Sequence, residues 1–387
     1  MQNSNLKIVL FTDTFCDANG VSRFLQDMSK EALKDKKEFY IVTSTVKNYD
    51  DKLQNVNVLK PVFKIKMPFY KEQDLVFPPY FQMKKIVNEI KPDVIHVSTP
   101  GFIGVCGVLL AKKYKIPLVG TYHTDFPMYV YKNTKSTILK NITKKFLKYF
   151  YKDFSQIVTR SKEYIPVISE DIDKSKDEIH FLQPGTNIST FSPRYKNDDV
   201  WSKLNLSKES LKFLYVGRAS KEKNLDILFE IWKEFYNKSM KKTSHLIIVG
   251  SGDLLKHKDE LKRYNVEFLG HKQKEELSSI YASSSTFIFP STTDTLGQVI
   301  LESMASGIPS IVTSIGGPQG IINGSKNDVG IVLDIDDKNS WVDTLLDIEN
   351  SKINIEKLSK NAYEYSQNFS ITNTFKSFYE INGNAKT

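Results

Sequence analysis

Cysteine, histidine, tryptophan and arginine are all scarce in this chain of 387 residues, and the scarcities exclude whole classes of protein. Two cysteines, Cys16 and Cys106, cannot make a disulfide scaffold or a cysteine cage for zinc, and they fit a reducing compartment. The six histidines are scattered and form no His-Glu-x-x-His pair, so no metal site and no metal cofactor are expected. The Asp-Ile-Asp triplets at 171–173 and 334–336 read as loop acids. Neither a Gly-x-Ser-x-Gly elbow nor a Gly-Lys-Ser/Thr phosphate loop is present. The longest apolar run, residues 101–111, is about half the length of a bilayer span. Residues 1–15 lack a signal-peptide layout, because the apolar stretch from Ile8 stops at Thr12-Asp13. A cytoplasmic protein is expected.

What the chain does hold is core material, 40% hydrophobic residues, and a local excess of positive charge. Its length suits two domains at roughly 150 residues each. The net charge is +9, and residues 132–152 contain seven lysines and no acid. Such a patch permits nucleic acid, an anionic membrane surface or a phosphorylated ligand. Over 137–151, Ile138, Leu139, Ile142, Phe146, Leu147 and Phe150 share one helical side, with Lys140, Lys144, Lys145 and Lys148 elsewhere. Two readings stay open: a basic amphipathic helix on an anionic leaflet, or an apolar stripe packed on the protein's own sheet.

Short apolar strands alternate with helical stretches. Strands are expected at 6–12, 39–43, 94–97, 117–122 and 157–159, then again at 212–216, 245–249, 266–269, 286–289, 310–313 and 330–333. This alternation predicts parallel sheets with right-handed crossovers, and the restart near 210 predicts two of them. The expected division is a domain over 1–190, a second over 191–368, and a C-terminal helix in 369–387 returning to the first.

Ligand-bearing residues are expected at strand ends. After the strand 286–289 comes a Ser/Thr/Asp loop with Asp294, then a helix starting near Gly297 with Glu302 inside it. A helix start with free N–H groups and a glycine suits a phosphate. The two acids can instead be a helix cap and a solvated helix residue. Gly217, Arg218 and Lys223 follow the strand 212–216. Arginine offers a planar fork to phosphate oxygens and lysine a point charge, although both can be ordinary surface charges. Gly20 lies in the polar turn Asp17-Ala18-Asn19-Gly20. His96 and His123 sit at strand ends, each either structural or ligand-facing. The aromatic stretches Pro68-Phe69-Tyr70 and 77–81 line a cleft or fill a packed loop.

In chain order these segments resemble family 4 of the retaining glycosyltransferases, which have the α/β GT-B fold: two doubly wound, Rossmann-like parallel-sheet domains facing across a cleft. The likeness runs through Asn19-Gly20-Val21-Ser22-Arg23, residues 91–96, Thr121 to Asp125, Pro184 to Pro193, Val216 to Lys223, Gly250-Ser251-Gly252, Asp294 to Glu302, and Gly316-Gly317-Pro318. It implies transfer of a hexosyl group, with retention, from a UDP- or GDP-sugar to an acceptor hydroxyl, as in members that glycosylate lipids and cell-envelope glycans. Arg218 and Lys223 then neutralise the departing diphosphate. Glu302 holds the ribose, and Asp294 holds the sugar hydroxyls with backbone N–H groups at Thr295, Leu296 and Gly297. His123 lies near the sugar, Gly20 closes over the phosphates, and the base contacts backbone near Gly270. The family pattern has glutamate where this chain has Asp294, which implies a shifted contact, and often a double glycine near Gly20. No divalent metal is implied. Partners are the nucleotide-sugar donor and a lipid or glycan acceptor, with peripheral contact at the inner membrane face through residues 132–152. Rival readings are a non-hydrolysing nucleotide-sugar 2-epimerase, a basic nucleic-acid-binding protein and a silent binding partner. No recognisable nucleic-acid module supports the second.

Overall fold

The computed structural model describes every residue except 1–5, 18, 48, 50–52, 68, 69, 273, 386 and 387. Ala18 of the turn and Pro68 and Phe69 of the aromatic stretch therefore lie outside the described residues. The chain forms two compact units, Met1–Gly185 with Ile371–Thr387, and Thr186–Ser370, against expected boundaries at 190 and 368.

The first unit contains β1 (Ile8–Phe11), β2 (Phe39–Ser44) and β3 (Val56–Leu59), then a hairpin of β4 (Phe63–Met67) and β5 (Tyr70–Phe77). β6 (Val94–Val97), β7 (Leu118–Thr121), β8 (Gln156–Thr159) and β9 (Ile179–Phe181) follow. Seven of these strands make one sheet, ordered β3-β2-β1-β6-β7-β8-β9 and parallel throughout. The second unit orders β10 (Lys212–Val216), β11 (His245–Val249), β12 (Val266–Gly270), β13 (Thr286–Phe289), β14 (Ser310–Thr313) and β15 (Gly330–Leu333) as β12-β11-β10-β13-β14-β15, again parallel.

In each sheet the chain winds outward one way, then returns past its first strand and winds the other way. The order reverses between β1 and β6, and between β10 and β13. A crevice opens at such a switch point, outside the carboxyl ends of the strands. The C-terminal helix Ile371–Asn384 packs on the first unit, where Phe375 and Phe378 each meet Phe39 edge-on at 5.8 Å.

β3, β9 and the hairpin have no counterpart among the expected strands. β3 (Val-Asn-Val-Leu) and the three-residue β9 are edge strands, so neither carries the continuous apolar run that burial on both faces imposes on β10.

Candidate functional site

The two switch points differ in what meets the helix start. In the first unit the Asp13 carboxylate, at the end of β1, accepts from Thr99 Oγ1 at 2.7 Å and from the N–H groups of Ile103 at 2.9 Å and Gly101 at 3.1 Å. Burial pushes this carboxyl up, against the pull of those hydrogen bonds. The helix Phe102–Tyr114 thus meets an anion from its own chain.

In the second unit the helix Gln298–Ala305 starts from a glycine cap, Gly297 with φ 78°, and has no acid in its first turn. Asp294 is therefore not the cap. It faces Lys223 across the switch point, with Lys223 Nζ donating to Asp294 Oδ2 at 2.7 Å. Lys223 closes the turn Lys221–Lys223 after β10, and Asn224 locks that turn by donating through Nδ2 to Pro290 O at 2.9 Å, on the loop after β13. Burial pushes the Asp294 carboxyl up, but Lys223, Ser291 and Arg218 outweigh it and hold the group below the ordinary carboxylate range.

Arg218 pairs with Glu222, Nη1 to Oε1 at 2.7 Å, while its backbone carbonyl accepts from Tyr215 Oη at 2.7 Å. Neither Arg218 nor Lys223 is a loose surface charge. Glu222 was hidden in the run Lys221-Glu222-Lys223, and its four-residue spacing from Arg218 is the one sequence signal for it. Two cations and two carboxylates thus sit together, balanced in formal charge. Glu302 is 0% exposed and accepts from Tyr281 Oη at 3.1 Å, which corrects its reading as a solvated helix residue.

Glycines hold these loops together. Gly217 N donates to Val249 O at 3.0 Å and Gly250 N to Gly270 O at 2.9 Å, tying the ends of β10, β11 and β12. Gly317 N donates to Asp294 O at 2.8 Å, and a Cβ on Gly317 would lie 1.7 Å from Thr295 O. Gly317→Ala must therefore push the 294–297 loop away. The expected result is a loss of about 1–3 kcal/mol of stability, the usual range for overpacking. An unchanged midpoint in urea unfolding would show that the two loops are not in contact.

In the first unit Gly20 opens the helix Gly20–Lys34, capped by Asn19, whose side chain accepts from Ser22 N at 2.8 Å. His123 Nε2 lies 2.9 Å from Ser98 Oγ, and its ring meets Phe24 edge-on at 6.3 Å. The buried Arg160 guanidinium covers the same Phe24 ring at 3.9 Å. Burial, then Arg160 and His96, keep His123 well below the usual imidazole range. Arg160, one of five arginines and directly after β8, was missed in the sequence. His96 is structural: its Nδ1 is 2.8 Å from Asn382 Oδ1 and its Nε2 2.7 Å from Thr121 Oγ1.

Two further expectations need correction. Asp171 is not a loop acid; it lies buried in the helix Ile165–Ile172, where it accepts from Tyr122 Oη at 3.0 Å and meets Lys144 Nζ at 2.8 Å. The helix Thr137–Tyr151 does not bury one apolar stripe. Leu147, Phe150 and Tyr151 face the core, whereas Ile138, Ile142, Phe146 and Tyr149 are exposed. Among the described residues no cluster of three or more His, Cys, Asp or Glu side chains could hold a metal ion, and no helix is long and apolar enough to cross a membrane.

Residues 18–190 match the family described as Glycosyltransferase Family 4, and residues 197–365 match Glycosyl transferases group 1. The chain is 27% identical to sulfoquinovosyl transferase SQD2 of Arabidopsis thaliana over 76% of its own length and 59% of that protein's, so it spans less than two thirds of this relative. It is 26% identical to an alpha-monoglucosyldiacylglycerol synthase of Streptococcus pneumoniae, over 79% of this chain and 70% of that one. Among solved structures, sucrose-phosphate synthase from Thermosynechococcus elongatus superposes with a TM-score of 0.77, covering 97% of this chain and 98% of the other at 18% identity. That likeness is one of fold.

Proposed function

This chain belongs to the family 4 glycosyltransferases of GT-B fold, and on that premise we propose that it moves a hexosyl group from a UDP- or GDP-sugar to the hydroxyl of a lipid or envelope-glycan acceptor, with the anomeric configuration retained. One observation carries the reading: Lys223 and Asp294 meet across the second switch point, beside a helix start whose cap is a glycine.

The proposed donor exchanges partners with this pair. Its diphosphate takes Lys223, with Arg218 and the helix start at Gly297 adding positive potential where charge develops as the sugar leaves. Asp294, released from Lys223, accepts from sugar hydroxyls, aided by the backbone of Thr295 and Leu296. Glu302 is assigned the ribose, Gly270 the base edge, Gly20 the phosphates and His123 the sugar, each by its place in the family's motif order. The leaving phosphate takes the acceptor's proton on the same face of the sugar. Charge neutralisation rests on side chains and a helix end, so activity is expected to survive EDTA.

UDP-glucose, UDP-galactose and GDP-mannose are the donors to test. The right one at 100 times its Kd adds about 2.7 kcal/mol of stability by mass action. Transfer to diacylglycerol is then read by mass, and the anomer by proton NMR. No shift with any nucleotide sugar would sink the reading, and a 2-epimer formed without acceptor would replace it.

Peripheral membrane contact belongs to the same proposal. The S. pneumoniae relative is named for a glycolipid product, and here Ile138 is 73% exposed and Ile142 56% on a lysine-rich helix. Lys144 and Lys148 are paired with Asp171 and Asp173 and Lys140 lies over the Tyr131 ring at 5.7 Å, which makes the exposed Lys145 the lysine of this helix best placed to meet lipid phosphates. The protein is expected to float with vesicles containing phosphatidylglycerol, and Ile142→Ser with Phe146→Ser to abolish that. Flotation unchanged in the double variant would remove this helix from the contact.

A further inference from the structure

A groove of about 640 Å³ lies on the carboxyl edge of the first sheet, at the ends of β2 and β3 and away from the switch point. That volume falls within the roughly 300–1,000 Å³ of small-molecule sites. Its walls are mostly aliphatic, with Val46, Leu53, Val56, Val58, Leu59 and Pro61, and its polar groups include Lys47 and Lys60. The apolar surface continues past the rim: Val62 is 70% exposed and Phe63 51%, where the chain enters the hairpin. β3 is the edge strand, so nothing in its own sheet covers this side.

Lys47 links the groove to the first switch point. Its ammonium pairs with Asp17, which accepts from Thr14 Oγ1 at 2.7 Å; Asn19 Nδ2 in turn donates to Thr14 Oγ1 at 2.8 Å. Asn19 is the cap of the helix that Gly20 opens. A ligand anion reaching Lys47 would therefore compete with Asp17 and act on the anchoring of the Gly20 loop.

We propose that this groove binds an anionic single-chain lipid, with its hydrocarbon against Val46, Leu53, Val58 and Pro61 and its headgroup on Lys47 and Lys60. An aliphatic trough with two ammonium groups at its side matches that amphiphile in both halves. Naming the lipid as acceptor rests on the glycosyl-transfer reading; the binding itself does not.

The probe is 1-decanoyl-glycerol 3-phosphate below its micelle concentration, titrated calorimetrically into the full chain. Saturable binding is expected in the wild type. Lys47→Gln should weaken it roughly tenfold, as losing one charged hydrogen bond would. Val58→Trp should abolish it by filling the trough. If Val58→Trp does not fold, Lys60→Gln, at an exposed side chain, takes its place with a similar weakening. Equal affinity in the wild type and these variants, equal binding of glycerol 3-phosphate alone, or no saturable heat would overturn the proposal. With UDP-glucose added, a glycosylated probe identifies the groove as an acceptor seat, whereas binding without product identifies it as a seat for a lipid of the membrane surface. Transfer to another acceptor with silent calorimetry would leave the enzyme reading standing and remove the groove alone.

Discussion

Lys223→Ala is expected to lower turnover about 10²–10³-fold, or about 2.7–4 kcal/mol in the barrier, the loss typical of removing one stabilising donor from a charge-developing site. The same substitution strands Asp294, whose carboxylate now takes its 2.7 Å hydrogen bond from Lys223. Removing one partner of a buried pair costs about 3–5 kcal/mol. Here the cost should be smaller, because the two side chains keep 15% and 24% exposure. Activity and stability therefore fall together in the single variant, and a second substitution separates them. Adding Asp294→Asn removes the stranded charge, so the double variant should regain most of the melting temperature and none of the turnover. Near-wild-type turnover in Lys223→Ala would end the diphosphate role. Recovery of turnover in the double variant would make the pair merely structural.

This pair also shows where sequence reading stops. Lys223 and Asp294 were each legible as polar residues just after an apolar strand, one after β10 and one after β13. Their contact was not, because they lie 71 positions and three strands apart, and only the reversal of strand order makes β10 and β13 neighbours. Glu222 looked like part of a solvated Lys-Glu-Lys run; its side chain is 5% exposed because the turn folds it under Arg218. Asp13 shows the same gap in the first unit, since the hydrogen bonds that define it come from residues 99–103. The strands themselves were readable wherever burial on both faces demanded an unbroken apolar run, as in β10 and β1. At the edges of the first sheet that demand lapses, and β3 and β9 passed unnoticed, as did the separate hairpin; the second sheet's edge strands β12 and β15 stayed readable through their own apolar residues.

Mild acid is expected to destabilise the first unit, and His96 is one reason. The ring is fully buried beneath the C-terminal helix, against Phe378 at 4.7 Å. Asn382 Nδ2 is committed to Phe378 O at 2.8 Å, so Asn382 Oδ1 is the acceptor and His96 Nδ1 carries the hydrogen. Nε2 then accepts from Thr121 Oγ1, and the ring is neutral. Burial is the dominant cause of its depressed pKa, about 4, only partly offset by Asn382. The unfolded ring takes its proton near 6.5 and the folded one near 4, so the unfolded state binds more protons between them. The stabilising contribution is complete above pH 6.5 and drains away as pH falls toward 4. At 1.36 kcal/mol per pKa unit the loss approaches about 3 kcal/mol. His123, also depressed by burial, acts in the same direction, while Asp13, raised by burial, acts against it at the acid end. His96→Gln isolates one contribution among these. Urea unfolding from pH 7.5 to 5 should show a distinctly shallower decline in that variant than in the wild type, with hydrogen exchange in Ile371–Asn384 rising first in the wild type. Parallel declines would mean that the proton goes elsewhere and that His96 does not hold the C-terminal helix against acid.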